Sequence, residues 1–284
     1  MILMDKKLEL VEVQKLEGHT DRVWNVAWNP AAAGVLASCS GDKTVRIWEQ
    51  SSLSRSWTCK AVLEGTHTRT VKSCSWSPSG KLLATASFDG TTCVWENFAT
   101  DSERVSVLQG HESEVKSVSW NASGSLLATC GRDKSVWIWE IQPENEFDCA
   151  AVLYGHTEDV KMVQWHPTMD LLFSCSYDNT IKVKRTMLQM CFDELYIEAF
   201  KRSVISTYKH LTAIGHSSTV WVITFNAAGD KMVDRPLYKL LLKKEKAHEM
   251  DINSVQWAPD TKSRLLASAS DDEMVKIWKL ASEP

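Results

Sequence analysis

Residues Gly110–Glu140 read G-H-E-S-E-V-K-S-V-S-W, then N-A-S-G, then S-L-L-A-T-C-G-R-D-K-S-V-W-I-W-E. A Gly-His opens the stretch, and an alternating run leads to Trp120. After a short turn, a second run ends at Asp133 and a third at Trp139. Val115-Lys116-Ser117-Val118-Ser119-Trp120 is close to the two-residue period of a strand. N-A-S-G supplies the residues with which a hairpin reverses. A few short antiparallel strands cannot bury a face alone, so the fold depends on whether the pattern recurs.

It recurs along the chain. His19, His67, His111, His156, His216 and His248 are each followed nine residues later by an aromatic: Trp28, Trp76, Trp120, Trp165, Phe225 and Trp257. A second column places Trp48, Trp95, Trp139 and Trp278 six residues after Asp42, Asp89, Asp133 and Asp272. Turn formers separate the runs at Asn29-Pro30, Ser77-Pro78-Ser79-Gly80 and Asn226-Ala227-Ala228-Gly229. Successive histidines lie 48, 44, 45, 60 and 32 residues apart, and the first three intervals fit a propeller blade of about 40 to 45 residues.

Of the 284 residues, 44% are apolar and 24% charged, the mixture of a soluble globular chain, and the net charge is -4. That balance argues against non-specific binding of nucleic acid or acidic membrane. No apolar run approaches the roughly 20 residues of a membrane span, and Met1 to Val13 lacks a signal's apolar core. Cytosol or nucleus is the expected compartment. The eight cysteines form no C-x-x-C. Cys39, Cys130 and Cys175 stand three residues before Asp42, Asp133 and Asp178, where Ala86 and Ala269 precede Asp89 and Asp272. A place that accepts Cys or Ala is a small buried slot, so core thiols are expected, with no metal and no cofactor.

These repeats resemble WD repeats, with Gly-His near the start and Ile-Trp-Glu where that family writes Trp-Asp. The resemblance implies an all-β WD40 β-propeller, seven-bladed in the family. Here about six blades are expected, five recognisable and one truncated. It also implies buried hydrogen-bond chains His19-Ser38-Asp42-Trp48, His67-Thr85-Asp89-Trp95, His111-Thr129-Asp133-Trp139 and His248-Ser268-Asp272-Trp278. Read as Ser/Thr-His-Asp sets these look catalytic, but catalysis needs one set in a cleft, and these recur with the fold. The chain is therefore expected to be no enzyme. In such propellers an N-terminal strand completes the last blade, so Lys7 to Leu16, with one slip at Leu10-Val11, should pair with Met274 to Leu280. Residues 1–284 are expected to form one domain: a closing strand at 1–17, repeats at about 18–62, 63–107, 108–152 and 153–184, a truncated repeat at 215–246, and a last one at 247–280.

The pattern breaks in two places. Lys184 stands where the fourth repeat should carry Trp, and residues 185–214 form an atypical insertion. Within it Leu188, Phe192, Leu195 and Ala199 lie nearer helical spacing, as either an amphipathic partner site or a degenerate segment. The fifth repeat stops at Val233 and runs into Asp234 to Lys246 without its second half.

Four blocks resemble the WD-repeat subunit of the cytosolic iron-sulfur protein assembly (CIA) targeting complex. They are A-T-A-S-F-D-G-T-T-C-V-W-E at 84–96, G-R-D-K-S-V-W-I-W-E at 131–140, L-L-L-K-K-E-K-A-H-E at 240–249 and R-L-L-A-S-A-S-D-D-E-M-V-K-I-W at 264–278. The resemblance implies a non-catalytic scaffold that helps hand clusters to cytosolic and nuclear apoproteins. Its partners would be proteins of that complex and its iron-sulfur clients, with no nucleic acid and no membrane. A WD substrate receptor or chromatin-associated module is the alternative, because repeats alone name no client.

Side chains five residues after each histidine, Trp24, Lys72, Lys116, Lys161, Trp221 and Asn253, should stand near one mouth of the channel. Those just before each turn aspartate, Gly41, Phe88, Arg132, Tyr177 and Asp271, should share that face. Arg132 carries the strongest expectation. Its planar fork suits carboxylates, and its place in the third repeat is one that the resembling family ties to function. The expected partner site is Arg132, Lys116, Lys72, Lys161, Phe88, Tyr177 and Trp24, receiving an acidic or carboxylate-ended partner.

Overall fold

The computed structural model describes residues 8–96, 103–185, 224–225, 232–233, 243–260 and 262–282. Strand β1 is Leu8–Leu16. The first repeat holds β2 (Val23–Trp28), β3 (Val35–Ser40), β4 (Val45–Gln50) and β5 (Trp57–Leu63). The second holds β6 (Val71–Trp76), β7 (Leu83–Ser87), β8 (Thr91–Glu96) and β9 (Glu103–Gln109). The third holds β10 (Val115–Trp120), β11 (Leu126–Gly131), β12 (Val136–Ile141) and β13 (Phe147–Leu153). In the fourth are β14 (Val160–Trp165), β15 (Leu171–Ser176) and β16 (Ile181–Arg185). Two short strands follow, β17 (Thr224–Phe225) and β18 (Met232–Val233), and the last repeat holds β19 (Ile252–Trp257), β20 (Leu265–Ser270) and β21 (Val275–Ser282).

Each full repeat is a four-stranded sheet in chain order, β2-β3-β4-β5, β6-β7-β8-β9 or β10-β11-β12-β13. Among the described residues the fourth repeat has three strands and the fifth two. The N-terminal strand completes the last sheet, in the order β1-β21-β20-β19. Its antiparallel register runs from Leu8↔Ser282 to Leu16↔Val275 and shifts between Glu12 and Gln14. The irregularity therefore sits at Val13 and not at Leu10-Val11, because Glu12 and Gln14 face consecutive partners, Trp278 and Ile277. The helical spacing read within 185–214 lies outside the described residues.

The chain divides into two compact units, one of Met1–Asp89, Cys93–Arg104 and Leu237–Pro284, the other of Gly90–Thr92 and Val105–Pro236. In the first unit, Val23, Val26 and Trp28 pack with Ala267, Ala269, Val275 and Ile277. In the second, Val160, Val163 and Trp165 pack with Leu126, Ala128, Cys130 and Ile138. The small slot behaves as the Cys/Ala alternation requires, since Cys39, Ala86, Cys130, Cys175 and Ala269 are all 0% exposed. Burial pushes the Cys175 thiol up to about 12, so it stays protonated and packs as a small apolar side chain.

Tight turns carry local strain at one repeated place. The residue after each turn aspartate, Lys43, Gly90, Lys134, Asn179 or Glu273, has φ between 63° and 87°. Glycine and asparagine adopt that region readily, whereas lysine and glutamate do so only where surrounding bonds hold them. Those bonds come from the aspartates. Asp42, Asp133, Asp178 and Asp272 each accept, through Oδ1, the amide N–H two residues on, at 2.9 to 3.1 Å.

Candidate functional site

The histidine of each described repeat centres a chain of hydrogen bonds. His19 Nδ1 lies 2.8 Å from Asp42 Oδ2 and its Nε2 lies 2.8 Å from Ser38 Oγ, to which the Trp48 indole N–H donates at 2.8 Å. The same geometry joins His67 to Asp89, Thr85 and Trp95. It also joins His111 to Asp133, Thr129 and Trp139, and His248 to Asp272, Ser268 and Trp278. A fifth, incomplete chain links His156 to Asp178 and Ser174, both at 2.8 Å. There Lys184 faces Leu172 in the register, the place Trp48 holds opposite Leu36.

One donor order satisfies every group. The indole N–H donates to the hydroxyl oxygen, the hydroxyl to Nε2, and Nδ1–H to the carboxylate, so the imidazole is neutral. Burial raises the Asp133 carboxyl, but hydrogen bonds from His111 and Ser135 outweigh it and hold it at about 2. Burial lowers His156 and His248, with their aspartates opposing. The hydroxyls of Ser38, Thr85, Thr129, Ser174 and Ser268 are all buried, and the same bonding recurs from repeat to repeat as part of the fold.

What differs between repeats lies at the start of the inner strand. In five repeats the register shifts there: between Val23 and Asn25, Val71 and Ser73, Val115 and Ser117, Val160 and Met162, and Ile252 and Ser254. Trp24, Lys72, Lys116, Lys161 and Asn253 are thus the extra residues of β-bulges. A bulge bends its strand and re-aims one side chain. Each bulge is locked by one backbone bond. The N–H of Gly41, Phe88, Arg132, Tyr177 or Asp271 donates to the carbonyl of Arg22, Thr70, Glu114, Asp159 or Asp251 at 2.9 to 3.1 Å. The two sets of residues expected at the mouth are therefore joined by the same device in each repeat.

In the second unit this brings Lys116, Lys161, Tyr177 and Asp159 together. The Lys116 ammonium is ion-paired with Asp159, with side chains 12% and 20% exposed, and lies 5.5 Å from the Tyr177 ring centroid. Lys161 stands 3.4 Å over the same ring. Burial lowers its pKa, and Lys116 adds to the lowering while Tyr177 and Asp159 oppose it. Arg132 is different. Its side chain is 61% exposed and its Nη1 lies 3.5 Å from Glu114 Oε1, the limit of a hydrogen bond. In the first unit, the Lys72 ammonium lies 3.3 Å over the Trp24 ring, and the Phe88 carbonyl accepts from Arg69 at 2.7 Å.

Sequence reasoning picked residues that lie at the bulges and before the turn aspartates but saw their cations as open. It missed Glu114 and Asp159, the acids three residues after His111 and His156, which neutralise Arg132 and Lys116 in turn. A signal was present: an acid also stands at that place in Asp251. Among the described residues, no group of three His, Cys, Asp or Glu is placed to hold a metal ion, and no helix is long and apolar enough to cross a membrane.

Sheets pinned alike, with individuality confined to bulge and turn positions, define a WD-repeat β-propeller chain. The WD domain, G-beta repeat model matches residues 10–49, 57–96, 102–140, 147–183 and 239–279. Over the whole of both chains the sequence is 54% identical to Protein CIA1 of Arabidopsis thaliana. It is 42% identical to the probable cytosolic iron-sulfur protein assembly protein Ciao1 of Culex quinquefasciatus, over 95% of this chain and 83% of that one. The chain belongs to the WD-repeat family of cytosolic iron-sulfur protein assembly proteins. The alignment with CIA1 runs over 352 positions against 284 residues here, so 68 of its positions hold no residue of this chain.

Proposed function

We propose that this chain is a non-catalytic scaffold of cytosolic iron-sulfur protein assembly, binding proteins of the targeting complex and apoprotein clients so that clusters pass between them. The names of its relatives support the pathway, and the repeated, fully bonded histidine chains support a scaffold over an enzyme. It works in the cytosol and serves nuclear clients as well. The cluster is cargo, carried by partners.

The observation that carries the partner reading is the exposed guanidinium of Arg132. An arginine held loosely by one carboxylate exchanges that partner for an incoming one at small cost, and a bidentate carboxylate is the better match. Tyr177, with Lys161 on its face, and the Lys116–Asp159 pair supply an amphipathic flank in the same unit. Trp24, Lys72 and Phe88 supply a second contact in the other. The test is affinity purification of the wild-type chain and of Arg132→Glu. Recovery of iron-sulfur assembly partners by the wild type, and their loss at unchanged thermal stability in the variant, supports the reading. Recovery of ubiquitin-ligase or chromatin complexes instead, or undiminished binding by the variant, overturns it.

A further inference from the structure

In each of the five described histidine chains the residue after the histidine is exposed, and its N–H donates to Oδ2 of the turn aspartate at 2.8 to 3.1 Å. Thr20, Thr68 and Thr157 stand there in the first, second and fourth repeats, Glu112 and Glu249 in the third and last. The backbone bond is the same whether the side chain is a hydroxyl or a carboxylate, so the fold accepts an anion at this place. Phosphorylation turns a threonine there into one.

Of the three threonines, Thr157 already has a cation on it. The Lys134 ammonium, from the turn of the third repeat, donates to the Thr157 carbonyl at 2.7 Å and lies 3.9 Å from Glu158 Oε1. Lys134 and Glu158 are 49% and 58% exposed, so that ion pair is weak. Among the described residues Thr157 is bonded through its N–H and carbonyl, and its exposed side chain carries no bond. The other acids nearby are engaged: Asp133 by His111 and Ser135, Asp159 by Lys116, Asp178 by His156 and Thr180. Glu158 is therefore the acid that a phosphate displaces from Lys134, and three oxygens carrying about two negative charges outcompete one distant carboxylate.

The other two threonines lack this setting. The place of Lys134, one after the turn aspartate, is held by Glu273 in the last repeat, which packs on the first, so Thr20 has an acid there. Thr68 has Lys43 at that place but is followed by basic Arg69, whereas Thr157 is followed by Glu158 and Asp159. Acids after the hydroxyl suit a kinase whose substrate groove is basic. We propose that Thr157 is a phosphorylation site. Its Oγ1 attacks the γ-phosphorus of ATP on an acid-directed protein kinase, ADP leaves, the hydroxyl proton passes to the kinase's base, and Lys134 holds the phosphate formed. The charge arrives at the turn that carries Arg132 and weakens the binding of carboxylate partners there; this consequence alone rests on the proposed function.

The full chain, treated with ATP and an acid-directed serine/threonine kinase, should carry phosphate on Thr157 and not on Thr20 or Thr68 when its peptides are mapped by mass spectrometry. Phosphate absent from Thr157, or shared equally among the three, overturns the proposal. In phosphorus NMR the second ionisation of the phosphate, ordinarily at about 6, should have a midpoint about 0.2 to 0.7 pH unit lower than in Lys134→Met. Equal midpoints overturn it too. Recovery of iron-sulfur assembly partners should fall about two- to fivefold on phosphorylation and stay unchanged in kinase-treated Thr157→Val. Undiminished recovery overturns the link to Arg132 and leaves the proposed function standing. An untreated chain that recovers no assembly partner overturns the proposed function and leaves the phosphorylation site standing.

Discussion

Lys116, the extra residue of the β10 bulge, sets its ammonium on the carboxylate of Asp159 at the head of β14, and both side chains are mostly buried. The pair ties the third repeat to the fourth within one unit. It also sorts the basic side chains at this end of the repeats. Lys116 answers an internal acid and Lys161 sits on an aromatic ring, whereas Arg132 remains largely exposed beside a weakly held carboxylate. The paired cation Lys116 and the proposed partner contact Arg132 are thus different side chains of the same repeat.

Removing either member of the Lys116–Asp159 pair should cost stability. Breaking a fully buried pair costs about 3 to 5 kcal/mol, and with edges exposed Lys116→Met or Asp159→Asn should cost roughly 1.5 to 3 kcal/mol in urea unfolding. The double variant should cost clearly less than the sum of the two singles. Strict additivity would mean that the pair does not couple the two repeats.

Glu114 competes with any partner for Arg132. Its carboxylate is 13% exposed and also accepts from the Ser113 hydroxyl at 2.6 Å, so Glu114→Gln should leave the loop in place while freeing the guanidinium. Affinity for the assembly partners recovered with the wild-type chain should rise about two- to fivefold, the worth of one weak surface pair. Surface plasmon resonance would read this, and a fall in affinity would place Glu114 among the contacts instead.

The periodicity of histidines and tryptophans made the sheets legible because every repeat must bury the same face and close the same hydrogen-bond chain. The His156 chain of the fourth repeat was legible only in part, since Lys184 stands in place of the tryptophan that marks the others. The candidate site was harder to read. An extra residue in a strand changes no composition, so the bulges at Lys116 and Lys161 leave no mark beyond a slight break in alternation. The pairing of Lys116 with Asp159 spans 43 residues, and no local pattern encodes a contact between repeats.

The hydroxyl at the centre of each histidine chain should matter more where an indole is present. Thr129 accepts from Trp139 and donates to His111, so Thr129→Ala leaves two buried groups unpaired and should cost about 2 to 4 kcal/mol. Ser174 serves His156 without an indole, and Ser174→Ala should cost about half as much. Thr129→Ser should recover most of the loss. Chemical denaturation of the three variants compares them, and equal costs for Thr129→Ala and Ser174→Ala would deny the indole any share.

Acid should unfold the chain in two steps of the same sign. His156 and His248 titrate below the ordinary 6.5 because burial disfavours the imidazolium more than their aspartates favour it. The unfolded chain then binds more protons just below that value, and stability falls as pH drops from about 6.5. Asp133 and Asp178 are raised by burial but lowered further by hydrogen bonds, to about 2 from an ordinary 3.8. Their stabilisation is complete above 3.8 and is lost as pH falls toward 2. Asp133→Asn isolates the second step, since the amide oxygen still accepts from His111 but carries no charge. The stability gap between wild type and Asp133→Asn, read from urea midpoints, should be constant from pH 5 to 7 and close between about pH 4 and 2. A gap that stays open through that interval would show that the carboxylate holds its repeat by shape and not by charge.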